Sequence, residues 1–278
     1  MAHIIQLRQR IKTVETIQKT THAMRLTSRS THARLAKKQR HLEAYRHEIE
    51  RILSIIRGDW CAAEPQSAPE IKNLSIIIGS QKGLCGAFNM KLFRFFEQEH
   101  LPIESEFIIT VGKKLTELME PGHRLHYTFN TFTAANFFAI AQELCQHILG
   151  ATGYTQVTIF SNYPQSFFLQ RPTKIVLPVP RINVHATCTD RHVHNATAHT
   201  YDESVPAILD AVEKLYLKVR IEELLFESLI AEHAARFISM DASTTNAEEM
   251  LGSMKRDYNK LRQASITREL MDLIGGLL

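Results

Sequence analysis

Ile17, Thr21, Met24, Ser28, Thr31, Leu35, Lys38, Leu42, Tyr45, Ile49, Ile52 and Ile56 recur at alternating steps of four and three, through a stretch with neither proline nor glycine. Such steps form a heptad seam, the pattern of a helix that lies along another helix. Upstream, Ile4, Leu7, Ile11 and Val14 keep the same rhythm. The single step of three from Val14 to Ile17 reads as a stammer, which overwinds a coiled coil locally. The centre of the seam is small and polar, with Thr21, Ser28, Thr31 and Lys38 where an ordinary coiled coil carries Leu or Ile. That composition predicts a helix with more than one neighbour, or one whose surface must slide.

The far end of the chain repeats the pattern. Val212, Leu215, Val219, Phe226, Leu229, Phe237, Met240, Ala247, Leu251, Met254, Tyr258 and Leu261 recur at steps of three, four and seven, apart from one step of eight from Leu229 to Phe237. No helix breaker occurs before Gly58, and after Pro206 only Gly252, Gly275 and Gly276 remain. The spacing predicts uninterrupted helices at both ends, about 80 Å and on the order of 100 Å long. Rods of that length do not fit inside one compact domain, so they are expected to pair with each other, antiparallel.

The breakers between residues 58 and 206 mark an α/β middle. Leu74–Ile78, Phe107–Val111, Val157–Phe160 and Lys174–Leu177 read as strands. Helical patterns fall between them, at about 91–99 and 134–149. The alternation predicts a parallel, Rossmann-like sheet. The expected fold is therefore α/β plus coiled coil: long antiparallel N- and C-terminal helices with an inserted Rossmann-like α/β domain. The boundaries are 1–57 for the first helix, 58–203 for the α/β domain and 204–278 for the second helix.

Charge is uneven. The net charge is only +4, but before residue 41 ten basic residues face a single acid, Glu15. Such a helix is either a solvated face or a surface for an acidic partner, whether nucleic acid, anionic lipid or protein. Aromatic residues for base stacking are missing there, since Tyr45 is the first aromatic. Cys61, Cys85, Cys145 and Cys188 stand far apart without a Cys-x-x-Cys pair, so they read as free thiols rather than as a zinc or redox site. No signal-peptide core and no membrane-length apolar run is visible.

Two stretches invite chemistry. Gly79-Ser80-Gln81-Lys82-Gly83-Leu84-Cys85-Gly86-Ala87-Phe88-Asn89 follows the first strand as a phosphate loop would, but matches neither the dinucleotide nor the P-loop spacing, and reads as a tight structural turn. His185, His192, His194 and His199 gather near Cys188 without helical spacing, which reads as a solvated loop. No nucleophile, base or acid pair forms a catalytic set, and no cofactor or metal is expected.

Three blocks carry a family resemblance. Arg10-Ile11, Val14, Gln18-Lys19-Thr20-Thr21 and Ala23-Met24 resemble the opening helix of the gamma chain of bacterial-type F-type ATP synthases. Lys82-Gly83-Leu84-Cys85-Gly86 is similar to a turn of that family. Glu227-Ser228-Leu229, Glu232-His233-Ala234-Ala235-Arg236, Met240, Thr245-Asn246-Ala247 and Tyr258-Asn259-Lys260 lead into Arg262-Gln263-Ala264-Ser265-Ile266-Thr267-Arg268-Glu269-Leu270, the most specific block. Arg25–His32 departs from the small apolar family pattern, and Gln81 stands where the family usually carries Asp.

The resemblance implies a central-stalk rotor subunit of a membrane-bound F-type ATP synthase. It would transmit rotation between an ion-driven membrane c-ring and three alpha and three beta subunits, coupling ion transport to ATP synthesis or hydrolysis, beside an epsilon subunit. It implies a non-catalytic chain with no cofactor, whose catalytic sites lie on beta. It implies a peripheral place on the cytoplasmic face of a bacterial inner membrane, and no nucleic-acid partner. It carries coupling roles to Met24, Arg236, Arg262, Gln263 and Thr267, the last three as hydrogen-bonding contacts to beta. The alternative from charge alone is a nucleic-acid-binding coiled-coil protein.

Overall fold

The computed structural model describes residues 2–59, 72–99, 107–150, 154–179 and 204–275. Two helices dominate it, α1 (Ala2–Asp59) and α5 (Val205–Gly275), about 87 and 107 Å long at the ordinary helical rise. Between them come β1 (Lys72–Ile78), α2 (Phe88–Glu99), β2 (Phe107–Val111), α3 (Lys113–Met119), β3 (Leu125–Phe129), α4 (Phe137–Gly150), β4 (Tyr154–Pro164) and β5 (Gln170–Pro178). Pro206 sits in the first turn of α5, where a missing N–H costs nothing and the fixed φ favours the helix.

The sheet order is β3-β2-β1-β4-β5. The first four strands are parallel and β5 returns antiparallel on β4, so the sheet is mixed where a parallel one is expected. Strand β3 and helix α3 are additions to the four expected strands. Leu125-His126-Tyr127-Thr128-Phe129 is an edge strand with only Phe129 buried, so it lacks the apolar run that marks β1. Strand β4 runs past the expected Phe160 to Pro164 and β5 begins at Gln170, before the expected Lys174, because their hairpin reaches beyond the sheet toward the long helices.

Side-chain alternation along β1 makes two cores. Leu74, Ile76 and Ile78 point to one face, with Ile109, Val111, Val157 and Ile159, and are covered by α4 and α5. Ile77, with Ile108 and Phe160, points to the other and is covered by Leu92 and Phe96 of α2 and Leu115 and Met119 of α3. The middle of α5 is thus one layer of the α/β unit, and every residue from Ile221 to Glu232 is buried. Such a helix is apolar around much of its circumference, which is why its heptad reading blurs between Val219 and Phe237.

The seam of α1 differs from the sequence reading. Ile4, Leu7, Ile11, Val14, Gln18, Thr21, Arg25, Ser28, His32, Leu35, Gln39, Leu42, Arg46, Ile49, Leu53 and Ile56 form one continuous line of shielded positions, with Glu15, Thr31, Ala36, Glu43, Glu50 and Ile55 half-buried beside it. The steps along that line alternate three and four without a break, so there is no stammer after Val14. Ile17, Met24, Tyr45 and Ile52 are exposed instead. The seam prefers polar side chains because partners on α5 satisfy them.

Candidate functional site

The two helices are cross-linked along their length by polar pairs. Arg57 pairs with Glu213 at 2.9 Å, Arg46 with Glu223 at 3.0 Å, Arg25 with Asp241 at 2.7 Å and Glu15 with Lys255 at 2.9 Å. Between the last two, the Thr21 and Thr244 hydroxyls meet at 3.0 Å and Gln18 donates to Glu248 at 3.2 Å. Each step back along α1 is met by a step forward along α5, so the pairing is antiparallel and in one register. On α5 the shielded positions continue as Met240, Thr244, Ala247, Leu251, Met254, Tyr258, Leu261 and Ser265, again by fours and threes. After Ser265 every described side chain is exposed. Ile266, Leu270, Met271 and Ile274 form a bare apolar tip, with Met271 67 % exposed. Ile266, Leu270 and Ile274 recur every four residues and so share a face, and a contiguous exposed apolar face is a candidate contact surface.

A buried clamp holds the α/β unit to this shaft. Arg236 is 8 % exposed. Its guanidinium donates to the carbonyls of Gly83 (3.2 Å) and Lys82 (3.1 Å) and pairs with Glu232 one turn back. Glu232 also accepts from the backbone N–H of Gln81 at 3.3 Å. The Gln81 side chain in turn accepts from the N–H of Phe132 at 2.9 Å, so one residue joins the C-terminal ends of β1 and β3 to α5. The turn itself is self-supporting: Asn89 donates to the Ser80 hydroxyl at 2.7 Å and accepts from the Ser80 N–H at 3.0 Å. Gly86 has φ +60, and Leu84 adopts φ 64, a conformation unfavourable for a side chain with Cβ. Ser228 of α5 donates to the Ile78 carbonyl at 3.4 Å. In open α/β sheets a ligand sits outside the carboxyl ends of the strands; here α5 and its clamp occupy that end, and the glycine-rich turn serves them.

A second brace comes from the β4–β5 hairpin. Phe167 at its tip stands edge-on to His32 of α1, centroids 4.7 Å apart, and 5.0 Å from Phe237 of α5. Burial lowers the pKa of His32.

Charge inside the grip is unusual. Glu222, Glu223, Glu227 and Glu232 are all buried on α5. Arg46 and Arg220 pair with Glu223. Burial, reinforced by Glu223, pushes the Glu227 carboxyl up to about 7. Burial also pushes His233 down to about 4, with neighbouring Arg236 acting the same way. Burial raises both described thiols, Cys145 to about 12, so neither is a thiolate nucleophile at neutral pH. Cys61, Cys188 and the histidines 185, 192, 194 and 199 lie outside the described residues.

The residues named from the resemblance fall in three places. Arg236 is inside the clamp. Met24 is 38 % exposed and lies one residue off the seam, at the level of Asp241. Arg262, Gln263 and Thr267 are exposed within two turns near the free end of α5, and the Thr267 hydroxyl donates to the Gln263 carbonyl at 3.0 Å. About 39 Å of helix separates them from Arg236. Sequence reasoning missed Glu232 and Gln81 as clamp partners, Asp241 as the mate of Arg25, and the apolar tip. The tip was findable, since antiparallel pairing lets the longer helix outrun the shorter. Nine of the ten cations in the first forty residues are exposed, and Arg25 alone turns inward. Among the described residues no helix is long and apolar enough to cross a membrane.

A family model described as ATP synthase matches residues 3–277. An ATP synthase gamma chain of Geobacter sp. (strain M21) is 30% identical, with 99% of this chain and 98% of the relative aligned. One from Geotalea uraniireducens (strain Rf4) is 29% identical over the same shares. Among solved structures, a chain of the Euglena gracilis mitochondrial ATP synthase OSCP/F1/c-ring assembly superposes with a TM-score of 0.71 at 17% identity. The superposition covers 99% of this chain and 94% of that one, and at such identity it speaks to the fold.

Proposed function

The chain belongs to the ATP synthase gamma-chain family, and on that premise we propose that it is the central-stalk rotor subunit of an ion-translocating ATP synthase. It carries rotation between a membrane c-ring and the catalytic alpha/beta ring, and it has no catalytic centre of its own. The observation that carries this reading is the single helix α5. It is a layer of the α/β unit at its middle, is clamped there through Arg236, and runs on as a rod to an exposed apolar tip. A helix continuous through both parts transmits a twist applied to one of them to the other.

In this reading the α/β unit is the foot, set on the c-ring beside an epsilon subunit. The shaft stands within three alpha and three beta subunits. The apolar tip lies in their central sleeve, where apolar contact without directional bonds resists rotation least. Arg262, Gln263 and Thr267, at the start of that tip, supply the directional contacts to beta that register the angle. The outward cations from Arg8 to Arg29 on α1 face acidic surface on beta, and exposed ion pairs are individually weak enough to exchange during rotation. The same cations gave the nucleic-acid alternative, and no observation favours it once this membership accounts for them. A bacterial inner membrane, cytoplasmic side, is the expected location.

The test is reconstitution. Co-expressed with its alpha, beta and epsilon partners, the chain enters a complex that hydrolyses ATP and, with the membrane sector, pumps ions into vesicles. The triple substitution Arg262→Ala, Gln263→Ala, Thr267→Ala lowers pumping per ATP hydrolysed while the isolated chain melts as before. A chain that stays monomeric beside those partners, or a triple variant with unchanged pumping, contradicts the respective part of the reading.

A further inference from the structure

A cleft of about 710 Å³ lies where α1 passes the start of α4, away from the clamp, the tip and the beta-facing residues. Its floor is apolar and well buried: Leu35, Phe137 and Phe226 are at most 5 % exposed, with half-buried Leu42 beside them. Its lips are aromatic and open, since Tyr45 is 48 % and Phe138 52 % exposed. Arg34, Lys38 and His41 line one bank, spaced by four and three so that they share a face of α1. All three are exposed, and none has an ion-pair partner among the described residues. The opposite bank is the first turn of α4, whose free N–H groups carry partial positive charge. Glu222 is the acidic residue in the lining. Burial raises its pKa, and Lys218 stands 3.9 Å from it, so it opposes an anion weakly.

We infer that this cleft binds a single-chain anionic amphiphile of the fatty-acid class, its tail on the Leu35–Phe137–Phe226 floor and its carboxylate on the Arg34–Lys38–His41 rail. Three features select that chemistry. The volume falls in the range of small-molecule sites. The floor is lined by the large apolar side chains that favour an alkyl chain over a polar one. Arg34 and Lys38 are cationic without an ion-pair partner among the described residues, which adds an electrostatic preference for a negative head, and His41 adds a hydrogen-bonding ring. A zwitterionic or neutral amphiphile would use the floor and leave the rail unpaired. The occupant would lie between α1 and α4, tying the shaft to the α/β unit at a level above the Arg46–Glu223 pair on the α1 side.

The test uses the full chain and a dansyl-labelled fatty acid, displaced by laurate. One displaceable site per chain is expected, with the melting temperature rising as laurate is added, because a ligand of the folded state stabilises it by mass action. Arg34→Gln with Lys38→Gln should weaken laurate about tenfold, the loss of about 1.4 kcal/mol. It should leave the unliganded melting temperature alone, since both side chains are exposed. Phe138→Asp, at the lip, should weaken it at least as much through repulsion. Methyl laurate should bind the parent and the double variant equally, and more weakly than laurate binds the parent. Laurate bound equally by parent and double variant would overturn the assignment of the rail. Methyl laurate as tight as laurate would do the same, and the absence of displaceable binding would overturn the site. None of these outcomes bears on assembly with alpha and beta, so the rotor reading stands or falls separately.

Discussion

Replacing Arg236 with alanine should cost far more than removing an exposed arginine. The side chain is 8 % exposed and holds three acceptors at once: the carbonyls of Lys82 and Gly83 and the carboxylate of Glu232. Truncation leaves Glu232, itself 3 % exposed, as a buried charge whose remaining partner is the Gln81 N–H. Breaking a buried pair from one side costs about 3–5 kcal/mol, most of it from the charge left behind. For a chain of this length that corresponds to roughly 10 °C in melting temperature. The origin of the loss can be isolated. Glu232→Gln keeps an acceptor for Gln81 and removes the charge, so Arg236→Ala made in that background should cost about 1–3 kcal/mol less than in the parent. The assay is urea unfolding followed by circular dichroism, with hydrogen exchange read at residues 80–88. That turn should lose protection in Arg236→Ala while the far end of α5 does not change. A loss under about 1 kcal/mol, or a Glu232→Gln background that recovers nothing, would refute the clamp.

Other positions give sharper single outcomes. Gly112 has φ +106, and a Cβ there would stand 2.7 Å from the Gly79 carbonyl oxygen, so Gly112→Ala should lower the urea midpoint by the equivalent of about 2 kcal/mol or more. Leu270→Asp with Ile274→Asp should shift the isolated chain's stability by no more than about 0.5 kcal/mol, both side chains being over half exposed, while depressing coupled ATP hydrolysis in the reconstituted complex; an early melt of the isolated chain would mean that the tip packs internally. Two contributions of opposite sign act across one window, about pH 4 to 7. The Glu227 carboxyl, raised to about 7, stabilises the fold fully below about 4.5 and loses that contribution as pH rises through 7, an effect of up to about 3 kcal/mol. His233, lowered to about 4, contributes above about 6.5 and loses it as pH falls toward 4. Thermal melts from pH 4 to 9 should therefore show Glu227→Gln removing a fall in stability between about pH 4.5 and 7, and His233→Gln removing a rise between about pH 4 and 6.5; parallel curves for parent and variants would refute the assignment.

The fold was legible in proportion to how local its causes are. Absence of proline and glycine sets both long helices, and β1 announces itself because Leu74, Ile76, Ile77 and Ile78 are buried on both faces of the sheet. Strand β3 was hidden, because an edge strand with polar and aromatic residues on its open side has no apolar run to detect. In α1 the seam was right at every seventh residue, Thr21, Ser28, Leu35, Leu42, Ile49 and Ile56, and at half-buried Thr31, and wrong at Ile17, Met24, Lys38, Tyr45 and Ile52. At four of these an apolar neighbour (Ile17, Met24, Tyr45, Ile52) outbid the true seam residue (Gln18, Arg25, Arg46, Leu53). Three of those four are polar and satisfied by Glu248, Asp241 and Glu223 on a helix nearly two hundred residues away. A hydrophobicity pattern cannot see such a partner. The clamp is illegible for the same reason: Arg236 is visible, but the Lys82 and Gly83 carbonyls it holds lie about 150 residues distant.

The misread seam also bears on how a rotor built from this helix would flex. Between Ile221 and Glu232 α5 is buried on all sides by α1, α4 and the sheet, and the clamp closes that region at Arg236. Close-packed apolar contacts of that kind resist shear because any displacement opens voids. From Asp241 upward the polar pairs that hold α5 run to α1, as Arg25–Asp241, Thr21–Thr244, Gln18–Glu248 and Glu15–Lys255. Partly exposed polar pairs are worth a few tenths to about 1 kcal/mol each and re-form after small displacements. Twist applied to the foot is therefore delivered rigidly as far as Arg236 and elastically beyond it. The change of regime falls at Met24 and Asp241, within two turns of the clamp. Replacing Gln18, Arg25 and their partners with leucine would stiffen the upper shaft without touching either end. Torsional stiffness measured on single reconstituted complexes should rise in such a variant, and a shaft no stiffer than the parent would place the compliance elsewhere.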